Sequence, residues 1–219
     1  MKLNEFFGRV CYINLDKRPD RRKRMDQSLV INNISAVRMH ATEGNLWGWK
    51  ADKYNAPLRA FDGVAGGTST QIAILRKAVE DDIKSVLILE DDCEFVEQFS
   101  QKFDEWSENV PNDWDLLYLG GLNGKGKYVE GIEEHVVAVT EMMSTHAYAV
   151  SQKALKEVID TMYGGFPYLE ESADGYLRIL QNTMNAYAFN PPMVWQKADH
   201  SDIQGAHRDY VVRFKQPLI

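Results

Sequence analysis

Apolar residues recur along this chain in two alternating rhythms, short continuous runs and helical stripes. The run Val10–Leu15 predicts a strand, and Pro19 then suits the first turn of a helix reaching about Ile31. Ala36–Met39 reads as a short second strand. Thr42 to Gly67 mixes Gly, Trp, Asn and Pro and predicts a long functional loop, in which Trp47, Trp49 and Tyr54 either stack on a sugar or base or anchor the loop to the core. Thr68 or Ser69 can cap a helix with Ile72, Leu75, Ala78 and Val79 on one face. A strand follows at Ser85–Leu89, then an amphipathic helix from Phe95 to Asn109 that buries Phe99, Phe103 and Trp106. Asp115–Leu119 is a strand ended by Gly120-Gly121, and Val136–Thr140 and Ala147–Val150 are two more. Ser151 caps a helix to Met162 and Ser172 another from Ala173 to about Asn182, with a last strand at Asn185–Phe189. Strands alternating with helices predict an α/β fold with one mainly parallel central sheet flanked by helices. No repeat or linker divides residues 1–219, so one domain is expected.

The sharpest chemical signal is Val86-Leu87-Ile88-Leu89-Glu90-Asp91-Asp92. An uninterrupted aliphatic run predicts a strand buried on both faces. Three acids then stand at its carboxyl end, where open α/β sheets bind ligands. Clustered carboxylates repel one another unless a cation neutralises them. Positions i and i+2 of an extended chain share a face, so Glu90 and Asp92 point one way and Asp91 the other. Hard cations such as Mg²⁺ or Mn²⁺ prefer such oxygens. The alternative is a solvated strand end, or acids that cap the next helix.

A second signal is Tyr12-Ile13-Asn14-Leu15-Asp16-Lys17-Arg18-Pro19-Asp20-Arg21-Arg22, a strand end running into a basic helix start. Helix N-termini attract anions and Arg forks grip phosphate, which makes Asn14, Asp16, Arg18, Arg21 and Arg22 candidates for a nucleotide, with Asp91 beside them. The alternative is a surface helix paired with local acids. His146, before a strand, reads as a hydrogen-bonded structural histidine.

Composition narrows the class. The 219 residues are 44% hydrophobic and 26% charged, with a net charge of −7, which argues against a general nucleic-acid binder. There is no apolar run of transmembrane length, and the N-terminal residues lack the apolar core of a secretory signal. Cys11 and Cys93 make no disulfide framework, so a cytoplasmic setting is expected. Composition leaves the oligomeric state open.

In order along the chain, several blocks resemble glycosyltransferase family 25. They are Tyr12 to Arg22, Gly63 to Leu75, Ser85 to Asp92, Trp114 to Gly120, Thr145 to Ser151, Ser172 to Leu177, and Gln196 with Ser201-Asp202-Ile203. That family includes bacterial lipopolysaccharide sugar transferases and collagen hydroxylysine galactosyltransferases. The resemblance implies a GT-A type nucleotide-diphosphosugar fold, with Mn²⁺ or Mg²⁺ held by Glu90 and Asp92. It implies inverting transfer of a hexose, galactose or glucose, from a UDP-sugar to a hydroxyl of a saccharide or hydroxylated side chain. A late histidine, His200 or His207, would complete the metal site. Inversion needs a general base, Asp174 first and Glu171 second, although Asp174 also reads as a helix first-turn acid. One departure stands out. Relatives usually carry Cys-x-x-Ser-His where this chain has Gly67-Thr68-Ser69-Thr70-Gln71, so a neutral amide replaces a titratable ring. That keeps a catalytically inactive nucleotide-sugar or saccharide-binding module as a second reading. A metal-dependent nucleotidyl or phosphoryl transferase is a third.

Overall fold

The computed structural model describes residues 1–43, 58–132, 135–165, 171–201, 206–209, 211 and 215–219. Helix α1 (Leu3–Phe6) leads into strand β1 (Arg9–Asn14), helix α2 (Pro19–Ile31) and strand β2 (Val37–His40). Helix α3 (Leu58–Glu80) precedes β3 (Ser85–Glu90), β4 (Cys93–Phe95) and α4 (Phe99–Trp106). Then come β5 (Leu116–Leu122), β6 (Lys125–Lys127), β7 (Val136–Thr140), β8 (Met143–Ser151), α5 (Gln152–Gly165), α6 (Ala173–Leu180) and β9 (Ala186–Phe189). Three short strands follow, β10 (Val194–Gln196), β11 (Asp199–Ser201) and β12 (Ala206–Arg208).

The expected α/β architecture is present: among the described residues one eight-stranded sheet, in the order β2-β1-β3-β8-β5-β9-β7-β6, is flanked by helices. The expectation of a mainly parallel sheet needs correcting, because the sheet is mixed. β1 runs parallel to β2 and β3, and β5 parallel to β9, while β8 is antiparallel to both its neighbours and β7 to both of its own. β6 and β7, neighbours in the sheet, are joined by residues 128–135 alone, whereas parallel neighbours need a crossover of about a dozen residues or more.

β3 is an interior strand of the sheet, between β1 and β8, and its side chains alternate between two cores. Val86 and Ile88 pack with α3, α5 and α6, through Leu75, Ala78, Leu155, Val158 and Leu177. Leu87 and Leu89 pack with α1, α2 and α4, through Phe7, Met25, Leu29, Phe99 and Phe103. All four are fully buried, as an unbroken aliphatic run predicts. Neither α3, the longest helix, nor any other described helix is long and apolar enough to cross a membrane.

Several boundaries depart from the sequence expectations: the helix expected from Phe95 starts at Phe99, with Phe95 in β4, β8 starts at Met143, and two further departures have packing reasons. The predicted loop reaching Gly67 is helical from Leu58 onward, ten residues before Thr68. Ala65 is fully buried in the first core, and this packing outweighs the helix-weakening effect of Gly63, Gly66 and Gly67. Trp47, Trp49 and Tyr54 lie outside the described residues. Likewise β5 runs through Gly120 and Gly121 rather than ending before them. A Cβ on Gly120 would overlap the Val194 carbonyl oxygen and lie 2.6 Å from His146 Nε2. The glycine thus leaves room for β10 and for the His146 ring beside β5.

Gly120→Ala is expected to lower unfolding free energy by about 1–3 kcal/mol, because β10 must move. Gly67→Ala meets nothing within 4 Å and should leave stability unchanged or raise it by about 0.5–1 kcal/mol. Urea titration of both variants checks the pair, and equal stabilities would refute this reading of Gly120.

Candidate active site

The carboxyl ends of β1 and β3 open into a cleft of about 690 Å³. Its wall includes Asn14, Arg21, Gln71, Glu90, Asp91, Asp92, Thr145, Asp174 and Gln196.

Helix α2 explains why an arginine lies there. Its inward stripe is Arg21, Met25 and Leu29, spaced four residues apart. The last two fill the second core, and the first member reaches the end of β3. Arg21 NH1 donates to Asp91 Oδ1 at 2.9 Å and to Asp92 Oδ2 at 3.0 Å, and NH2 donates to the His200 carbonyl at 2.8 Å. Burial opposes its charge, but Asp92 and Asp91 outweigh that and raise its pKa. Asp91's other oxygen accepts from Asn14 Nδ2 at 2.6 Å. Asp91 is therefore occupied by protein donors on both oxygens.

Glu90 and Asp92 meet at another residue. Gln196 Nε2 donates to Glu90 Oε2 at 3.0 Å and lies 3.5 Å from Asp92 Oδ1. β10 places it there: it pairs antiparallel with β4, setting Gln196 opposite Cys93, and the Lys197 amide donates to the Asp92 carbonyl at 2.8 Å. Glu90 Oε1 accepts from the Thr145 hydroxyl at 3.1 Å. Thr145 in turn accepts from Gln71 Nε2 at 3.3 Å, and Gln71 Oε1 accepts from the Tyr148 hydroxyl at 2.7 Å. Gln71, the departure from the family pattern, is thus a buried link in the chain that fixes Glu90. Burial foremost, and then the charge of Asp92, push the Glu90 carboxyl well above the usual range. Burial also raises Asp92, with Arg21 pulling the other way.

Asp174, in the first turn of α6, reaches the same cleft. Its Oδ2 accepts from the Ser144 amide at 3.2 Å, and its Oδ1 from the Gly175 amide at 3.1 Å and the Ser172 hydroxyl. Its charge is among those that raise Glu90. Glu171 does not line the cleft; its carboxylate sits over Gly175.

Other expected residues are placed elsewhere. Asp16 is exposed and paired with Arg38 at 2.6 Å and His40 at 3.0 Å. Arg18 pairs with Asp20 at 3.1 Å and lies 3.7 Å from Asp199, and Arg22 points to Asp26 at the surface. None of these three lines the cleft, and among the described residues its bases are Lys17, Arg21, Lys197 and Arg208. The magnitudes differ accordingly, since an exposed pair such as Arg22–Asp26 is worth about 0–1 kcal/mol, whereas removing one partner of a buried pair costs about 3–5 kcal/mol. The structure brings neither late histidine to the carboxylates. His200 and His207 face each other across the β11–β12 ladder, both exposed, while Asp199 and Arg208, the adjacent pair, line the cleft. Side chains alternate along a strand, so the histidines occupy the face turned away. Asp202 and Ile203 lie outside the described residues. His146 is the structural histidine expected, although it lies within β8: it donates from Nε2 to the Val194 carbonyl at 3.1 Å and pairs with the Ser144 hydroxyl at 2.9 Å. Burial pushes its pKa down to about 4, which keeps it neutral.

Among the described residues, no three His, Cys, Asp or Glu side chains are grouped to hold a metal ion. The donor chemistry nonetheless suits a hard divalent cation. Glu90 and Asp92 offer two carboxylates that converge on one amide, and among the wall's described residues carboxylates outnumber bases by seven to four. Sequence reasoning missed Thr145 and the placement of Gln196. The position of Arg21 was readable, because an arginine on the Met25–Leu29 stripe needs a buried anion.

A carboxyl whose native pKa is raised holds its proton more tightly when folded. Its stabilising contribution is complete at acid pH and is lost as pH climbs through the native pKa. Stability of chelator-treated protein is therefore expected to fall from about pH 5 to pH 8 at this site. Glu90→Gln should flatten that fall and raise the pH 8 stability by about 1 kcal/mol or more. Urea midpoints at both pH values check this, and a variant less stable than wild type at pH 8 would contradict it.

Comparison with known proteins gives the family. A family model described as "Glycosyltransferase family 25 (LPS biosynthesis protein)" matches residues 9–168. Procollagen galactosyltransferase 2 of Mus musculus is 25% identical over 171 residues, covering 70% of this chain and 27% of that protein. Inactive glycosyltransferase 25 family member 3 of Homo sapiens is 31% identical over 150 residues, covering 60% of this chain and 25% of that protein. The chain thus spans about a quarter of the length of these relatives. Among solved structures, the glycosyltransferase GlyE of Streptococcus pneumoniae TIGR4 superposes with a TM-score of 0.45 at 11% identity, covering 82% of this chain and 45% of that one. With a family model spanning most of its length, the chain belongs to glycosyltransferase family 25.

Proposed function

We propose that this chain transfers a hexose, galactose or glucose, from a UDP-sugar to a hydroxyl of a saccharide or glycoconjugate, with inversion, in the cleft at the end of β3. The observation that carries the reading is the electrostatic state of that cleft. Two half-buried carboxyls, Glu90 and Asp92, are both pushed toward protonation, in a wall whose described residues include three more acids than bases. A diphosphate entering such a cleft is repelled unless a cation accompanies it. Glu90 and Asp92 would hold Mg²⁺ or Mn²⁺, which supplies electrostatic stabilisation of the charge that grows on the leaving diphosphate.

The chain's own residues do the rest. Asn14 and Arg21 hold Asp91 and Asp92 fixed, so the acids do not reorganise during the reaction. Thr145 and Gln196 orient Glu90. Asp174, pinned by Ser144, Ser172 and Gly175, takes the acceptor hydroxyl's proton as the new glycosidic bond forms and the sugar–phosphate bond breaks. UDP then carries away the bonding electron pair. The two cysteines, Cys11 and Cys93, are buried free thiols, consistent with work in a reducing compartment such as the cytoplasm.

One observation favours a second reading, a binding module without turnover: the 31% identical human relative is described as inactive. Thermal-shift and UDP-release assays with UDP-galactose and UDP-glucose separate the two. Wild type should be stabilised by UDP-sugar only with Mn²⁺ and should release UDP when given an acceptor. Asp92→Asn should lose both responses. Asp174→Asn should keep the donor shift and release UDP at least about 100-fold more slowly. Full turnover by Asp174→Asn removes it as base, and binding without release over a broad acceptor panel establishes the module. Turnover of nucleoside triphosphates instead would mark a nucleotidyl or phosphoryl transferase.

A further inference from the structure

The point on which Glu90 and Asp92 converge is filled by the amide of Gln196, 3.0 Å from one carboxylate and 3.5 Å from the other. We infer that Gln196 is the third protein ligand of the cation at this site, acting through its side-chain carbonyl oxygen; the inference rests on the cation-dependent reading above.

Three observations converge on it. The first is position. Gln196 is fixed by its backbone, opposite Cys93 in the β10–β4 ladder and next to Lys197, whose amide donates to the Asp92 carbonyl. Its distance from the acids therefore does not depend on a flexible loop. The second is chemistry. A primary amide carries a donor nitrogen and an acceptor oxygen of nearly the same shape on one planar group. Nitrogen inward, it donates to two carboxylates and relieves their repulsion. Oxygen inward, it adds a neutral hard donor of the kind Mn²⁺ and Mg²⁺ accept. Half a turn about one bond converts the first state into the second, and a cation supplies the reason to turn. The third is the neighbourhood. His200 and His207 face away from the cleft. Asp91 has both oxygens engaged by Asn14 and Arg21. Arg21, whose side chain is 8% exposed, keeps Nε without a hydrogen-bond partner, 3.6 Å from Asp199, as a donor to an anion arriving with the cation.

The test is Mn²⁺ titration followed by electron paramagnetic resonance, with no activity readout. Wild type is expected to bind Mn²⁺, and Gln196→Leu, which keeps the bulk without the oxygen, to bind about tenfold or more weakly. His200→Ala and His207→Ala should bind as wild type does. Gln196→Glu supplies the opposite signature. A further carboxylate beside Glu90 and Asp92 should lower the melting temperature of the metal-free protein, and Mn²⁺ should raise it by more than it raises wild type. A merely structural glutamine would not give that enlarged metal response. If Gln196→Leu, shown folded by circular dichroism, binds Mn²⁺ as tightly as wild type, Gln196 is not a ligand and the cation reading stands without it. If Gln196→Glu shows no enlarged shift, the inference also fails. If wild type binds no Mn²⁺, the cation reading falls and this inference with it.

Discussion

Three carboxylates at the end of a strand buried on both faces create a repulsion that the surrounding structure has to absorb. Arg21 does most of this. Its guanidinium bonds to Asp91 and Asp92 at once and carries the β11 backbone through the His200 carbonyl. One buried cation for three acids leaves an excess of negative charge, and burial first, with that charge behind it, raises the pKa values of Glu90 and Asp92. The division of labour is physical: Asp91 has both oxygens taken by Asn14 and Arg21, Glu90 is held by the neutral groups Thr145 and Gln196, and Asp92 keeps one oxygen on Arg21 and the other toward Gln196. The site is stable enough to form and still electrostatically unsatisfied, and that combination suits it to a cation and a diphosphate.

Much of this was legible in the sequence, for identifiable reasons. Val86–Leu89 signals a strand buried on two sides because no residue in it tolerates solvent, and the structure splits it between two cores. Pro19 at the first helical turn fixes where α2 starts, and α2 ends at Ile31 as expected. The pleat expected to set Asp91 apart from Glu90 and Asp92 stops at Glu90: residues 91 and 92 form the turn between β3 and β4, and one Arg21 nitrogen bonds both acids.

What was not legible depends on contacts between distant segments. A three-residue strand such as β10 has too few positions to show a period, yet its pairing with β4 delivers Gln196 to the acids. The late histidines look like ligands in sequence, but the register of β11 against β12 decides which face they occupy. The basic cluster at the start of α2 reads as one phosphate grip, and helical spacing divides it: Arg21 turns inward and Arg22 outward. Glycines at 63, 66 and 67 suggested a loop where packing of Ala65 makes a helix. Gln71 looked like a loss of function-bearing chemistry, whereas here it belongs to the hydrogen-bond chain from Tyr148 to Glu90.

The central claim is that the acidic end of β3 receives a cation and, with it, the diphosphate of a sugar donor. The most direct measurement is anomalous scattering at the manganese edge from crystals of the protein grown with Mn²⁺ and UDP. The account expects one anomalous peak bonded to the carboxylates of Glu90 and Asp92, with the UDP diphosphate on its open side. UDP seated in the cleft without a peak there, or manganese and UDP bound together elsewhere, would contradict it.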